Sequence, residues 1–226
     1  MEEDYIYDRY YVDGVKIEEI SGGARYKGKV WTEIARQIYC ENGKDGYRDL
    51  GHFNIGAPFL YGEEERISIS HTEGCYVVAT LKVPEGTDLS TFSEPAALGI
   101  DVERIDREKV MRVREKFLND SELSRINADS VEANIIAWTS KEAMLKAGMN
   151  PGIDFRNDIM LVSVPPIAKT RDMQINKSKE TLPCLGLANI LIGGEEYTFA
   201  LRHYRSGDFI ITVARPTLDY VEMRHR

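Results

Sequence analysis

Three carboxylates in two short stretches carry the spacing that could do chemistry in this 226-residue chain. In Leu98-Gly99-Ile100-Asp101-Val102-Glu103, apolar residues alternate with the others, which is the period of a strand. Leu98, Ile100 and Val102 fall on one face; Gly99, Asp101 and Glu103 fall on the other. Carboxylates at i and i+2 lie roughly 6.5–7 Å apart at the backbone, so their oxygens can converge on one cation. Around Trp138-Thr139-Ser140-Lys141-Glu142-Ala143-Met144-Leu145-Lys146, the residues Ile135, Trp138, Glu142, Leu145 and Met149 recur at spacings of three and four. That predicts a helix with these positions on its buried stripe. Glu142 then stands where an apolar side chain belongs, so it is protonated, paired or bound to metal. Lys146 lies one turn further on, on nearly the same face. Three acids with no Cys or His beside them suit a hard, oxygen-seeking ion: Mg²⁺ first, with Mn²⁺ the alternative. The plain alternative is a strand-edge acid pair and a Glu142–Lys146 salt bridge.

The rest of the chain must hold these stretches. Tyr5 to Ile20 reads as two strands around Asp13-Gly14, followed by a break at Ser21-Gly22-Gly23. Lys29 to Cys40 reads as a helix with Val30, Trp31, Ile34 and Ile38 on its core side. Arg25, Lys27 and Lys29 make a small basic cluster before it, and Glu41 to Leu50 reads as a loop. Arg66 to Ser70 alternates as a strand, with Ile67 and Ile69 on one face. A turn through His71-Thr72-Glu73-Gly74 leads to a returning strand whose inner face is Cys75, Val77, Ala79, Leu81 and Val83. Ser70 and His71 sit at that strand end and carry donors suited to phosphate oxygens. Pro84 to Pro95 reads as a linker.

Arg104 to Leu118 is the most basic helix of the chain, with Val110, Val113 and Phe117 as its apolar line. Arg107, Lys109, Arg112, Arg114 and Lys116 occupy the remainder. Asp120-Ser121 opens a short helix, and Asp129-Ser130 caps the helix that bears Glu142 and ends near Gly148. Met160 to Val164, Leu185 to Ile192, Tyr197 to His203 and Phe209 to Val213 read as a strand meander, and Thr217 to Arg226 as a tail. Two halves with strands and a main helix each, residues 1–92 and 93–226, make an α+β architecture.

Composition excludes other classes. The chain is 42% hydrophobic and 29% charged, with a formal net charge of -8. An acidic balance lacks the basic footprint that nucleic acid or an anionic membrane requires. No apolar run approaches the ~20 residues of a membrane span. The start, Met1-Glu2-Glu3-Asp4, lacks the basic region of a signal peptide. Cys40, Cys75 and Cys184 are odd in number and widely spaced, which fits reduced thiols in the cytoplasm.

The stretch from Gly56 to Gly148 resembles the 4′-phosphopantetheinyl transferases, of the longer, surfactin-synthetase-activating type. The residues that carry the likeness are Gly99-Ile100-Asp101-Val102-Glu103, Trp138 with Lys141-Glu142-Ala143 and Lys146, and Ile67-Ser68-Ile69-Ser70-His71-Thr72. Phe117 and Glu122 match the spacer between the acidic motifs. Gly56-Ala57-Pro58 resembles the family's Gly-Lys-Pro loop, with Ala57 in place of a lysine that contributes to coenzyme A binding.

The resemblance implies a monomeric pseudo-dimer of two similar halves with the active site in the cleft between them. It implies transfer of the phosphopantetheine arm of coenzyme A to a serine of an apo acyl or peptidyl carrier protein, releasing adenosine 3′,5′-bisphosphate. It places Mg²⁺ on Asp101, Glu103 and Glu142, and makes Glu142 and Lys146 catalytic. Ser70, His71 and Lys146 then contact coenzyme A, and the basic helix meets the acidic carrier. A coenzyme A-binding protein without transfer, and a Mg²⁺-dependent phosphohydrolase, are the other two readings of the same residues.

Overall fold

A computed structural model describes residues 5–22, 28–43, 46–164 and 184–217. Arg25, Lys27, the first four residues and the tail beyond Thr217 lie outside the described residues. The first half runs β1 (Tyr5–Val12), β2 (Val15–Gly22), α1 (Lys29–Glu41), β3 (Leu50–His52), β4 (Pro58–Leu60), β5 (Glu65–Thr72) and β6 (Cys75–Lys82). The second runs β7 (Gly99–Arg104), α2 (Lys109–Phe117), α3 (Asp120–Arg125), α4 (Val131–Gly148), β8 (Ile159–Ser163), β9 (Cys184–Ile192), β10 (Glu195–Ser206) and β11 (Phe209–Pro216). Two antiparallel sheets result, in the orders β1-β2-β6-β5 and β7-β11-β10-β9-β8, with β3-β4 as a small third sheet.

The alternation of apolar residues puts these sheets into layers. Val15, Ile17, Val77, Ala79, Ile100, Val102, Ile211 and Val213 form the core between the two sheets. The opposite face of the first sheet takes α1 through Trp31, Ala35, Ile38, Tyr39 and Cys40. The opposite face of the second takes α4 and α2. The order is therefore helix, sheet, sheet, helix, a mixed α and β architecture. Each fully buried Leu, Ile or Val side chain in these layers contributes roughly 1.5–3 kcal/mol. No described helix is long and apolar enough to cross a membrane.

Local signals account for most element ends. Asp13 and Gly14 both have positive φ, 47° and 75°, as the tight turn of a right-twisted hairpin requires. Ser130 caps α4 by accepting the Ala133 N–H at 3.1 Å. Asn119 and Glu122 exchange bonds as a capping box that starts α3. The edge strand β8 is blunted by Arg125, which donates to the carbonyls of Leu161 and Val162 at 2.6 and 2.9 Å.

Four expectations need correction. Val30 is 58% exposed, because α1 turns Trp31, Ala35 and Ile38 inward instead. His71 and Thr72 stay in β5, and the turn is the dipeptide Glu73-Gly74. The basic helix begins only at Lys109, since β7 runs on to Arg104 paired with Phe209. The largest correction concerns α4. Trp138, Glu142 and Leu145 are only half-buried. The side that meets the sheet is made of Ala137, Ala143, Met144 and Ala147, all inaccessible or nearly so. Gly99 permits this approach, because a β-carbon there would overlap the Ala143 carbonyl oxygen.

A hydroxyl chain ties α4 to the sheet beneath it. The Thr139 hydroxyl donates to the Ile136 carbonyl at 3.1 Å and meets the Thr212 hydroxyl at 2.7 Å. With the Thr139 proton committed, Thr212 donates to it and in turn accepts from His203 Nδ1 at 3.0 Å. Burial drives the pKa of His203 down from 6.5 to about 4. A histidine with a lowered folded pKa is protonated first in the unfolded chain. Its contribution is whole above pH 6.5 and drains away as pH falls toward 4, by roughly 3 kcal/mol. Urea midpoints from pH 7 to 4.5 should fall less steeply for His203→Asn, which keeps the donor but does not titrate. Equal slopes for the two chains would rule out this source of acid sensitivity.

Candidate active site

The site forms where an edge of one sheet meets an edge of the other. β5 and β7 are joined there by serine hydroxyls in place of a backbone ladder. Ser68 Oγ accepts the Ile100 N–H at 3.0 Å and Ser70 Oγ accepts the Val102 N–H at 3.4 Å. Residues at i and i+2 on one strand thus meet donors at i and i+2 on the other. Ser70 passes its own proton to Asp101 Oδ1 at 2.6 Å. Lys146, reaching over from α4, donates to the same oxygen at 2.7 Å and to the Ile100 carbonyl at 3.0 Å. Thr72, next on that face of β5, donates to Glu103 Oε1 at 2.7 Å, and Arg107 pairs with the other Glu103 oxygen.

Ser70, Asp101, Glu103 and Lys146 therefore come together, and Glu142 joins them electrostatically. Glu142 makes no hydrogen bond or ion pair among the described residues. Burial pushes its carboxyl above the usual range and the charge of Asp101 pushes it further, while Lys146 and Arg107 pull it back. The expected Glu142–Lys146 helix pair does not form, because Lys146 leans across to Asp101. His71 is exposed at the strand end, with its ring parallel to Tyr76 at 6.2 Å. Desolvation lowers its pKa, the charge of Lys146 lowers it further, and Asp101 opposes both.

Among the described residues no three His, Cys, Asp or Glu side chains sit close enough to enclose a metal ion as they stand. The donor set still fits a divalent cation in part. Asp101 and Glu142 are like charges close enough to raise the Glu142 pKa, and Glu142 has no protein donor. A hard cation relieves that repulsion and takes oxygen ligands only. Glu103 has both oxygens engaged, by Arg107 and Thr72.

Two openings flank the acids. One is a cavity of about 370 Å³ between the halves, lined by Ala57, Arg66, Ile69, Leu98, Lys146 and Met149 among others. The other is a groove of about 360 Å³ between α2 and α4. Its floor is Val110, Val113, Phe117, Trp138 and Phe155, with Arg107, Lys109 and Lys116 on its rim next to Glu103. Of the five cations expected on α2, Arg114 is committed to Asn134 and the Ile126 carbonyl, and Arg107 to Glu103. Lys109, Arg112 and Lys116 have no ion-pair partner among the described residues.

Sequence reasoning gave no role to Thr72 or to the Arg107–Glu103 pair. Thr72 is two residues beyond Ser70 on the same strand face, and Arg107 is four beyond Glu103; both spacings were available as signals. Lys141 stood in the helix motif with no role of its own. It is 0% exposed and pairs with the equally buried Glu122 at 2.8 Å.

A family model described as the 4′-phosphopantetheinyl transferase superfamily matches residues 97–213, just over half of the chain. No curated protein is a significant match to it.

Proposed function

The chain belongs to the 4′-phosphopantetheinyl transferase superfamily, a superfamily of transferases, and from that premise we propose that it loads apo carrier proteins with the phosphopantetheine arm of coenzyme A. We read it as a monomeric pseudo-dimer of the longer, surfactin-synthetase-activating type, with halves 1–92 and 93–226 and the active site in the cleft between them. One observation carries the reading: α4, β7 and β5 bring Glu142, Lys146, Asp101, Glu103, Ser70 and His71 to a single seam between the sheets.

The serine hydroxyl oxygen of the carrier attacks the phosphorus that bears pantetheine. A new P–O bond forms and the bridging P–O bond breaks. Adenosine 3′,5′-bisphosphate leaves with the electron pair. Glu142 takes the serine proton, since burial and Asp101 have already raised its affinity for one. Lys146 stabilises charge on the diphosphate, and His71 offers a ring N–H to a phosphate oxygen. Ser70 belongs to the coenzyme A contacts by position, and its hydroxyl donates to Asp101 and holds it in place. Asp101, Glu103 and Glu142 would hold Mg²⁺ or Mn²⁺, which when bound neutralises charge on the diphosphate.

The test is incubation with coenzyme A, Mg²⁺ and a panel of apo acyl and peptidyl carrier proteins, followed by intact mass. Gain of one phosphopantetheine arm is the expected result. Coenzyme A breakdown with no loaded carrier would point to a phosphohydrolase, and binding without turnover to a non-catalytic coenzyme A protein.

We further propose that the carrier's acidic helix docks on α2 at the groove. With a chain net charge of -8, an acidic partner needs this local positive patch to approach. Lys109→Glu with Lys116→Glu should raise KM for the carrier about tenfold and leave coenzyme A affinity unchanged. An unaltered carrier KM at low salt would remove α2 from the docking surface.

A further inference from the structure

Two of the three acids are open to a divalent cation, and Arg107 is the reason the third is not. The bonds to Asp101 fall on Oδ1, which leaves Oδ2 without a partner among the described residues. Glu142 has none there either. Glu103 differs. Its Oε1 accepts the Thr72 hydroxyl at 2.7 Å and the Arg104 N–H at 3.2 Å. Both donors are neutral, and a metal-bound carboxylate keeps bonds of that kind. Its Oε2 pairs with the Arg107 guanidinium, a full positive charge that excludes a second cation from the same oxygen. Burial and Asp101 raise the Glu142 pKa, and Lys146 and Arg107 pull it back, so the Arg107 charge reaches this acid too. With all three acids ionised, three negative charges face two positive ones, Lys146 and Arg107. A divalent ion turns that deficit of one positive charge into an excess of one, and departure of Arg107 restores the balance. Arg107 can depart. It stands in the turn before α2 with its side chain 46% exposed, and it lines the groove beside Lys109 and Lys116. An exposed arginine loses little when it exchanges one carboxylate for another.

We propose that Arg107 is a resident competitor of the divalent cation at Glu103, and that an acidic carrier docked in the groove draws it away, so that carrier and metal promote each other's binding. That these acids hold a metal and that the groove takes an acidic carrier rest on the function proposed above. Without a carrier, Arg107 keeps the buried Glu103 carboxylate paired and the chain holds its metal weakly. The coupling is reciprocal: whatever factor the carrier gives to metal affinity, the metal gives to carrier affinity.

The experiment is titration of the full chain with Mn²⁺, read by electron paramagnetic resonance of the free ion. It is run with and without an apo carrier whose modifiable serine is replaced by alanine, so no turnover enters the readout. With no carrier present, Arg107→Gln should bind Mn²⁺ about tenfold more tightly than the parent. The carrier should tighten Mn²⁺ about tenfold in the parent and less than about twofold in Arg107→Gln. Arg112→Gln removes the same charge from α2 outside the groove lining and should change Mn²⁺ affinity less than about twofold, which separates competition from the general field of the helix. Glu103→Gln added to Arg107→Gln should abolish the gain. A thermal melt with and without Mn²⁺ shows that Arg107→Gln is folded, and the ion should raise its melting temperature more than that of the parent. Mn²⁺ binding by the parent with no tightening in Arg107→Gln overturns the competition. A carrier effect that is absent from the parent, or equal in the two chains, overturns the coupling. Failure of the parent and Arg107→Gln alike to bind Mn²⁺ removes the metal reading and this proposal together.

Discussion

Glu142→Gln should reduce carrier loading by roughly 10²–10⁴-fold while the chain stays folded. Glutamine has the shape of the carboxylate but accepts no proton at neutral pH and is a poor ligand for a divalent cation. Glu142 is half-buried at the rim of α4 and has no protein hydrogen bond to lose among the described residues. Its principal neighbour is a like charge, Asp101, so removing the negative charge relieves repulsion. Stability should therefore shift by less than about 1 kcal/mol, in either direction. Intact mass of the carrier measures loading, and a urea melt measures the fold. Normal loading by this variant would refute the base and metal roles together. A large loss of stability would mean that Glu142 is held by contacts the structure does not contain.

Lys141→Met should cost about 3–5 kcal/mol, although it touches no ligand. The ammonium is wholly inaccessible and has four acceptors: Glu122 at 2.8 Å and the carbonyls of Ile159, Phe155 and Arg156 at 2.7, 3.2 and 3.4 Å. Burial pulls its pKa down, and Glu122 holds it up. Glu122 in turn accepts from the backbone N–H groups of Asn119 and Leu161, at 2.8 and 2.7 Å. Removing the lysine leaves a fully buried carboxylate with no counter-charge. The melting temperature should fall by about 10 °C or more for a chain of this length. Glu122→Gln in the same chain should restore a large part of the loss, since it removes the orphaned charge and the two sites are coupled. A fall below about 1 kcal/mol for Lys141→Met alone would show that water or rearrangement replaces the pair. The link to function is rotational. Lys141 pins α4 to α3 and β8, and Glu142 is the next residue, so the pin decides which way Glu142 faces.

The amino-acid pattern alone was sufficient for the pieces. Alternation from Leu98 to Glu103 identified β7 and put both its acids on one face. Ser130 marked the start of α4, and Asp13-Gly14 marked a hairpin that the structure contains. These features are local: a period, a cap or a positive φ is set by a few neighbouring residues. How α4 sits on its sheet was not legible. Its sides are nearly all covered, so the apolar spacing pointed to Ile135, Trp138, Leu145 and Met149, whereas Ala143 and Ala147 against Gly99 decide the rotation. That rotation sends Lys146 to Asp101, 45 positions away, in place of Glu142 one turn before it. It buries Lys141 and leaves Glu142 without a partner among the described residues. Partnership between charges depends on packing across the whole chain, because a side chain bonds to whatever the neighbouring layer presents. Periodicity along one element reports only which of its faces is turned inward.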